Sequence, residues 1–203
     1  MPKDTPYAFV RRADDADRQT VSDILTEAFM DDPVACWLFP ASGERGRLQS
    51  HFYGRLLDRH AAEAYLAGRG EGASVWLALT QGQAPDEERP DAPDPDQNSV
   101  FGENGARLWT LGRALAERHP LGEPHLYLSC MGVVGGRQGA GLGSAMLRHR
   151  LEQADTDGLA VYLEASSPRS RALYLRYGFE DLGEPVRVAD SPLLWPMWRQ
   201  TRR

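Results

Sequence analysis

The stretch Arg137-Gln138-Gly139-Ala140-Gly141-Leu142-Gly143 follows an apolar run, HLYLSCMGVV (125–134), and opens a segment with helical spacing that runs from Leu142 to about Ala154. Three glycines at alternate positions, where a strand hands over to a helix, free the backbone for a tight turn or for close approach to a ligand. Amides ahead of a helix converge at the positive end of its dipole, so the group such a loop suits is an anion, phosphate above all.

Spacing separates the phosphate-binding loops. A Walker-type loop needs Lys and then Ser or Thr after its last glycine, but Gly143 is followed by Ser144-Ala145 and no Lys occurs beyond Pro120. A dinucleotide fingerprint needs GxGxxG, whereas Gly139, Gly141 and Gly143 form GxGxG with only 60 residues left for the rest of a doubly wound sheet. A plain turn that starts a helix remains open on the loop alone.

The flanking segments supply the context. Tyr7 to Arg12 reads as a first strand, and DDADRQTVSDILTEAF (14–29) as a helix with Val21, Ile24, Leu25, Ala28 and Phe29 at helical spacing. Pro33 is expected to break that helix, and a second is expected from Glu44 to about Ala62. Tyr65/Leu66 and Val75 to Leu79 flank a glycine-rich turn as a hairpin. A helix from about Asn104 to Arg118 stops at His119-Pro120. LAVYLEAS (159–166) is a strand that presents Val161, Leu163 and Ala165 on one face, Tyr162 and Glu164 on the other. PRSRALYLRYG (168–178) is a helix opened by Pro168 and closed by Gly178. FEDLGEPVRV and SPLLWPMW form a final antiparallel pair, with Pro192 and Pro196 suited to edges or bulges.

Composition bounds the rest. The 203 residues, 41% apolar and 26% charged, suit one domain with one sizeable core. The formal charge of −6 is concentrated in residues 86–96, DEERPDAPDPD, which hold −5, so the body is nearly neutral and lacks the basic stripe of a nucleic-acid binder. That stretch, within a proline- and acid-rich segment from about 82 to 100, reads as a surface loop. Cys36 and Cys130 have no CxxC spacing and no histidine cluster beside them, which suggests buried thiols and no metal site. No window approaches the roughly 20 apolar residues of a membrane span, and MPKDTPYAFVRR is no secretory leader. The expected location is the cytoplasm, away from membranes.

Val133 to Gly143 resembles the acyl-CoA loop of the GNAT-type N-acetyltransferase superfamily, in which a strand ending in Val runs into Gln/Arg-x-x-Gly-x-Gly/Ala; Gln138, Gly141 and Gly143 fill those places. About 36 residues on, ALYLRYGF (172–179) is similar to that superfamily's closing signature, a Tyr four residues before Gly-Phe. The two motifs, in this order and with an apolar strand between them, are specific together. DDPVACWLFP (31–40) and LEASSPRSRALYLRYGFE (163–180) look most like puromycin N-acetyltransferases and related actinobacterial enzymes.

The resemblance implies an α/β fold: a mixed, mostly antiparallel sheet of about seven strands, helices on both faces, and a splayed strand pair that holds acyl-CoA. Residues 1–118 would carry the acceptor side, 119–203 the acyl-CoA and catalytic side. It implies acetyl transfer from acetyl-CoA to a small-molecule amine, with a non-catalytic acyl-CoA sensor as the alternative. Main chain around Cys130, Met131, Gly132 and Val133 would meet the pantetheine arm, amides of Gly139, Ala140, Gly141, Leu142, Gly143 and Ser144 the diphosphate, with Arg137 and Gln138 beside it. Tyr174 would be the general acid, a phenol being protonated at neutral pH. The base would be Glu164 or a water relay. Phe29, Asp32, Trp37 and Trp76 are acceptor candidates, aromatics with an acid suiting a cationic, partly apolar amine. Ser167 and Ser170 stand where the family often has Asn, and Gly135 where it often has Pro. Monomer and homodimer both stay open.

Overall fold

The computed structural model describes residues 9–85 and 100–202. Seven strands form one sheet in the order β1-β2-β3-β4-β5-β7-β6. These are β1 (Val10–Arg12), β2 (Ala62–Ala67), β3 (Gly72–Leu79), β4 (His125–Val133), β5 (Ala160–Ala165), β6 (Glu180–Asp181) and β7 (Trp195–Arg199). Every pairing is antiparallel except β4 with β5, which is parallel because the helix between them crosses one face of the sheet.

The alternation of side chains divides the core. Val21, Ile24 and Leu25 of α1 (Arg18–Ala28), with Tyr53 and Leu56 of α3 (Ser42–Leu57), cover Leu66, Ala73 and Val75 on one face. On the other, Leu147, Leu151 and Ala154 of α5 (Leu142–Asp157) and Tyr174 of α6 (Pro168–Arg176) cover Trp76, Leu126, Leu128, Val161 and Leu163. The remaining helices, α2 (Pro33–Leu38) and α4 (Asn104–Ala116), pack on each other through Val34 and Leu111.

One local expectation is extended and two are corrected. The first helix does end before Pro33, at Ala28, but Pro33 also opens α2 at a position that needs no N–H, and Asp32 caps that helix by accepting from the amides of Val34 and Ala35. The helix expected to reach Ala62 ends at Leu57, because β2 starts at Ala62 and the turn between is closed by Ala62 N–H donating to Arg59. Pro196 lies inside β7, flanked by β5 and β6, rather than on an edge. Its carbonyl accepts from Leu182, so its missing N–H also faces the two-residue β6 and costs the β5 ladder nothing. The first strand comprises Val10–Arg12, with Tyr7 and the acidic stretch 86–96 outside the described residues.

One irregularity shapes the centre. Val75 pairs with Cys130 but Trp76 with Leu128, so Ser129 is an extra residue in β4. Such a bulge rotates the strand beyond it. Leu126 and Leu128 face α5, whereas past the bulge Cys130 and Gly132 face α1. The ladder to β5 runs from His125↔Ala160 to Leu128↔Leu163 and stops, although β4 continues to Val133. Gly132 permits this course: a Cβ there would lie 2.6 Å from Ala28 Cβ and 3.1 Å from Phe29 Cε2. Gly132→Ala is therefore expected to destabilise by about 1–3 kcal/mol through overpacking, read from the shift in a urea unfolding midpoint; an unshifted midpoint would mean α1 is free to retreat.

Candidate active site

A groove of about 1670 Å3 runs across the sheet from the glycine loop, past the open side of β4, to the space beneath α4. Its first part is main chain. Residues 129–133 of β4 have no strand partner on the β5 side, which leaves polar backbone groups facing the groove. Val133 and Met131 turn their side chains into the clusters against α5, and Gly132 turns toward α1, so this stretch offers backbone rather than side chains.

The glycine loop continues that surface. After one turn of 3-10 helix (Gly135–Arg137), Gly139 and Gly141 both adopt φ +84°, a left-handed conformation that favours glycine, and Gly141 caps α5 with no side chain. The amides of Gly139, Gly141, Leu142, Gly143 and Ser144 make no hydrogen bond to a described residue, as the first turn of a helix dictates. Ala140 is the exception and leaves the expected set, since its amide donates to the Arg137 carbonyl at 3.2 Å. A Cβ at Gly139 or Gly141 would meet nothing within 4 Å, so torsion, not protein crowding, requires glycine there.

The neighbouring side chains act as braces. Arg137 pairs with Glu71 at 2.9 Å, and Val134 donates to the Glu71 carbonyl, which ties the loop to the β2–β3 turn. Gln138 donates to the Val133 carbonyl and accepts from Arg169 at 3.0 Å. Ser167 and Ser170, at the positions where Asn was expected, are engaged with each other in a capping box at the start of α6. Arg137, Arg169 and Arg176 nonetheless line this end of the groove and make it cationic.

Tyr174 reaches the groove from α6, and the Gly-Phe that follows explains how. Gly178, at φ +84°, ends the helix; its amide donates to Leu175, the Phe179 amide returns to the Tyr174 carbonyl at 3.2 Å, and the Phe179 and Tyr174 rings meet edge-on at 5.8 Å. This is the hydrogen-bond pattern and apolar clasp of a Schellman stop, and it fixes the tyrosine in orientation. The ring is 7% exposed, the residue lines the groove, and its hydroxyl bonds to no described residue. Burial first, then the nearby Cys130 and Asp32, raise its pKa, so the phenol stays protonated.

Glu164 lines the same groove from β5, where Tyr127 of β4 donates to its Oε2 at 2.8 Å. Beyond them lies a histidine pair absent from the sequence expectations. His125 Nδ1 sits 2.9 Å from the Glu123 carbonyl and must donate to it, which leaves Nε2 as acceptor; His119 Nε2, 2.9 Å away, is then the donor. Both rings are buried, and burial together with His125 lowers the His119 pKa to about 4. His119 lines the groove and meets Tyr127 and Tyr162 edge-on.

The acceptor candidates divide. Phe29 and Asp32 line the groove. Asp32 accepts from Ser166 Oγ at 2.9 Å as well as capping α2, and burial raises its pKa against those hydrogen bonds. Trp76 is corrected: it is 1% exposed in the core, its Nε1 donating to Ser74 on the same strand. Trp37 is corrected too, since its indole N–H donates to Asp190 and Arg107 stacks over it, away from the groove lining. Cys130 also lines the groove, and burial pushes its thiol up to about 12.

A model of the acetyltransferase (GNAT) family matches residues 27–179. Among solved structures, a histone acetyltransferase and related acetyltransferase from Corynebacterium glutamicum is similar with a TM-score of 0.71 and 28% identity, over 97% of this chain and 98% of that one. Arylalkylamine N-acetyltransferase 2 from Aedes aegypti gives 0.64 and 13%, over 96% and 99%. The ribosomal-protein-S18-alanine N-acetyltransferase of Escherichia coli gives 0.57 and 14%, over 97% and 95%.

The histidine pair carries a pH signature. The unfolded chain protonates His119 near pH 6.5 and the folded chain only near 4. Stability is therefore full above about 6.5 and falls as pH drops toward about 4, where the unfolded state holds the extra proton. His119→Gln should flatten that decline in urea unfolding series across this window; equal slopes for the two proteins would contradict the neutral pair.

Proposed function

Because the chain belongs to the acetyltransferase (GNAT) family, which transfers acetyl groups from acetyl-CoA, we propose that it acetylates the primary amine of a small molecule by direct attack on the thioester. The observation that carries this reading is convergence: the open side of β4, the free amides of the glycine loop, Tyr174 and Glu164 all line one groove. The residues present fit the donor. Exposed backbone of 129–133 suits an amide-bearing arm, and five amides beside three arginines suit a diphosphate. Bound there, acetyl-CoA supplies an acyl group already activated as a thioester.

The protein's part is to hold groups and move protons. The attacking amine must be neutral, and Glu164, held by Tyr127, takes its proton directly or through water. As the new C–N bond forms and the C–S bond breaks, Tyr174 Oη, which burial keeps protonated, gives its proton to the departing sulfur and regains one from the nitrogen, which must shed a proton to become the amide. A covalent acyl-enzyme on Cys130 is disfavoured, because a thiol with a pKa near 12 supplies almost no thiolate. Asp32 and Phe29 stand where a cationic amine would approach. The small size of the acceptor is supported by the likeness of residues 31–40 and 163–180 to puromycin N-acetyltransferases. The same reading sets the reaction in the cytoplasm, in keeping with two free cysteines.

Tyr174→Phe is expected to lower kcat by roughly 10²-fold while the calorimetric affinity for CoA stays the same. An unchanged kcat would remove the phenol from the reaction. Gly141→Val, which forces a β-branched residue to φ +84°, should instead abolish CoA binding; undiminished binding would refute the loop's role.

A further inference from the structure

The part of the groove beyond Glu164 has its own composition. Leu108, Leu111, Gly112, Leu115 and Ala116 of α4 all line it, at the i, i+3, i+4, i+7, i+8 spacing of one helix face. Helices normally lay such a stripe on the sheet. Here α1, α3, α5 and α6 make the substantial helix–strand contacts, and α4 packs instead on α2, with the groove lying between its stripe and the strands. The floor opposite is Leu77 and Leu79, one face of β3, registered against Tyr127 and His125. Phe39 and Phe101, stacked at 5.9 Å, close the side.

Among the described residues, Asp31, Asp32 and Glu164 bring carboxylates to the groove, Asp32 close enough to Tyr174 to shift it, while Arg55, Asp58, Arg59 and His60 line it from the end of α3, and leucines with the buried His119 make up much of the rest. From the level of Ser129 to that of His125 and Leu79 is four residues of strand, about 13 Å.

We propose that this channel is the acceptor site and that it takes a primary amine at the end of an elongated apolar body, either an aryl-alkyl group or a medium-length alkyl chain. The proposal rests on the reading that an amine is acetylated in this groove, and names which amines. A polyamine would have to set its inner ammonium groups, and a peptide its main-chain amides, against walls that among the described residues are mainly leucine and phenylalanine, with uncharged Gln49, Tyr53 and Gln83 as scattered polar partners. An apolar body loses nothing there and is drawn in by the hydrophobic effect, while its ammonium end finds the carboxylates of Asp32 and Glu164.

The test is kcat/KM with acetyl-CoA for n-alkylamines of increasing length, for phenylalkylamines, for spermidine and for a hexapeptide with a free N-terminus. The expected result is a rise of roughly threefold to fourfold per added methylene, a plateau once the body spans about 13 Å, and poor turnover of spermidine and peptide. Leu115→Lys should flatten the length series, and calorimetric CoA binding by that variant confirms that it has folded. A flat or falling series in the unmutated protein, or preference for spermidine or peptide, overturns the channel assignment and leaves the amine acetylation reading standing. Acetyl-CoA binding with no amine acetylated at all overturns both.

Discussion

The parting of β4 from β5 after Leu128↔Leu163 is the constraint on which the site depends. A parallel pair kept in register to its end would satisfy every backbone group and leave no cleft. The extra residue Ser129 turns β4 away, and Gly132 lets the turned strand lie against Ala28 of α1 without a collision. From that one divergence follow the exposed main chain of β4, the position of Glu164 on the far bank, and the entry of Tyr174 from α6. A ligand held at such a place would meet chiefly backbone, and Ser167 and Ser170 serve the helix cap.

The parts legible in the sequence were those whose local chemistry leaves a spacing. Glycines at 139 and 141 need left-handed torsions, and Tyr174-x-x-x-Gly-Phe is the trace of a Schellman stop that aims a ring; both are short-range facts. Strand and helix identities followed from periodicity for the same reason. The bulge was not legible, because Ser129 becomes an extra residue only when β3 lies alongside it. Trp37 and Trp76 show the converse: aromatic identity suggests a ligand contact, but partners distant in the chain or in the fold, such as Asp190, decide whether the ring faces the groove or the protein. Asp32 was singled out for its charge, yet its capping of α2 depends on Pro33 starting a helix rather than merely ending one. The histidine pair joins a loop to a strand six residues on, a closeness that no helical or strand period encodes.

Electrostatically the groove is graded. Arg137, Arg169 and Arg176 stand at the loop end and Arg55 and Arg59 at the far end, while between them burial shifts the Tyr174 phenol, the Cys130 thiol, the His119 imidazole and, against its hydrogen bonds, the Asp32 carboxyl toward their neutral forms. Against that background the carboxylates of Glu164 and Asp32 stand out as the sites where a positive charge is welcome. A low-dielectric surrounding strengthens such attraction and would at the same time favour loss of the proton from an ammonium held there, both of which the proposed amine acceptor would need.

The open length of β4 also bears on how the protein avoids its own kind. Unpaired strand edges invite other chains to add to the sheet, and soluble proteins usually blunt them with charge, proline or a covering element. Here the unsatisfied ladder is recessed between two strands of one sheet, with α6 on one bank and α1 beneath. The fold thus keeps one side of residues 129–133 open within the sheet and not along its outer rim, where another chain could add as a strand.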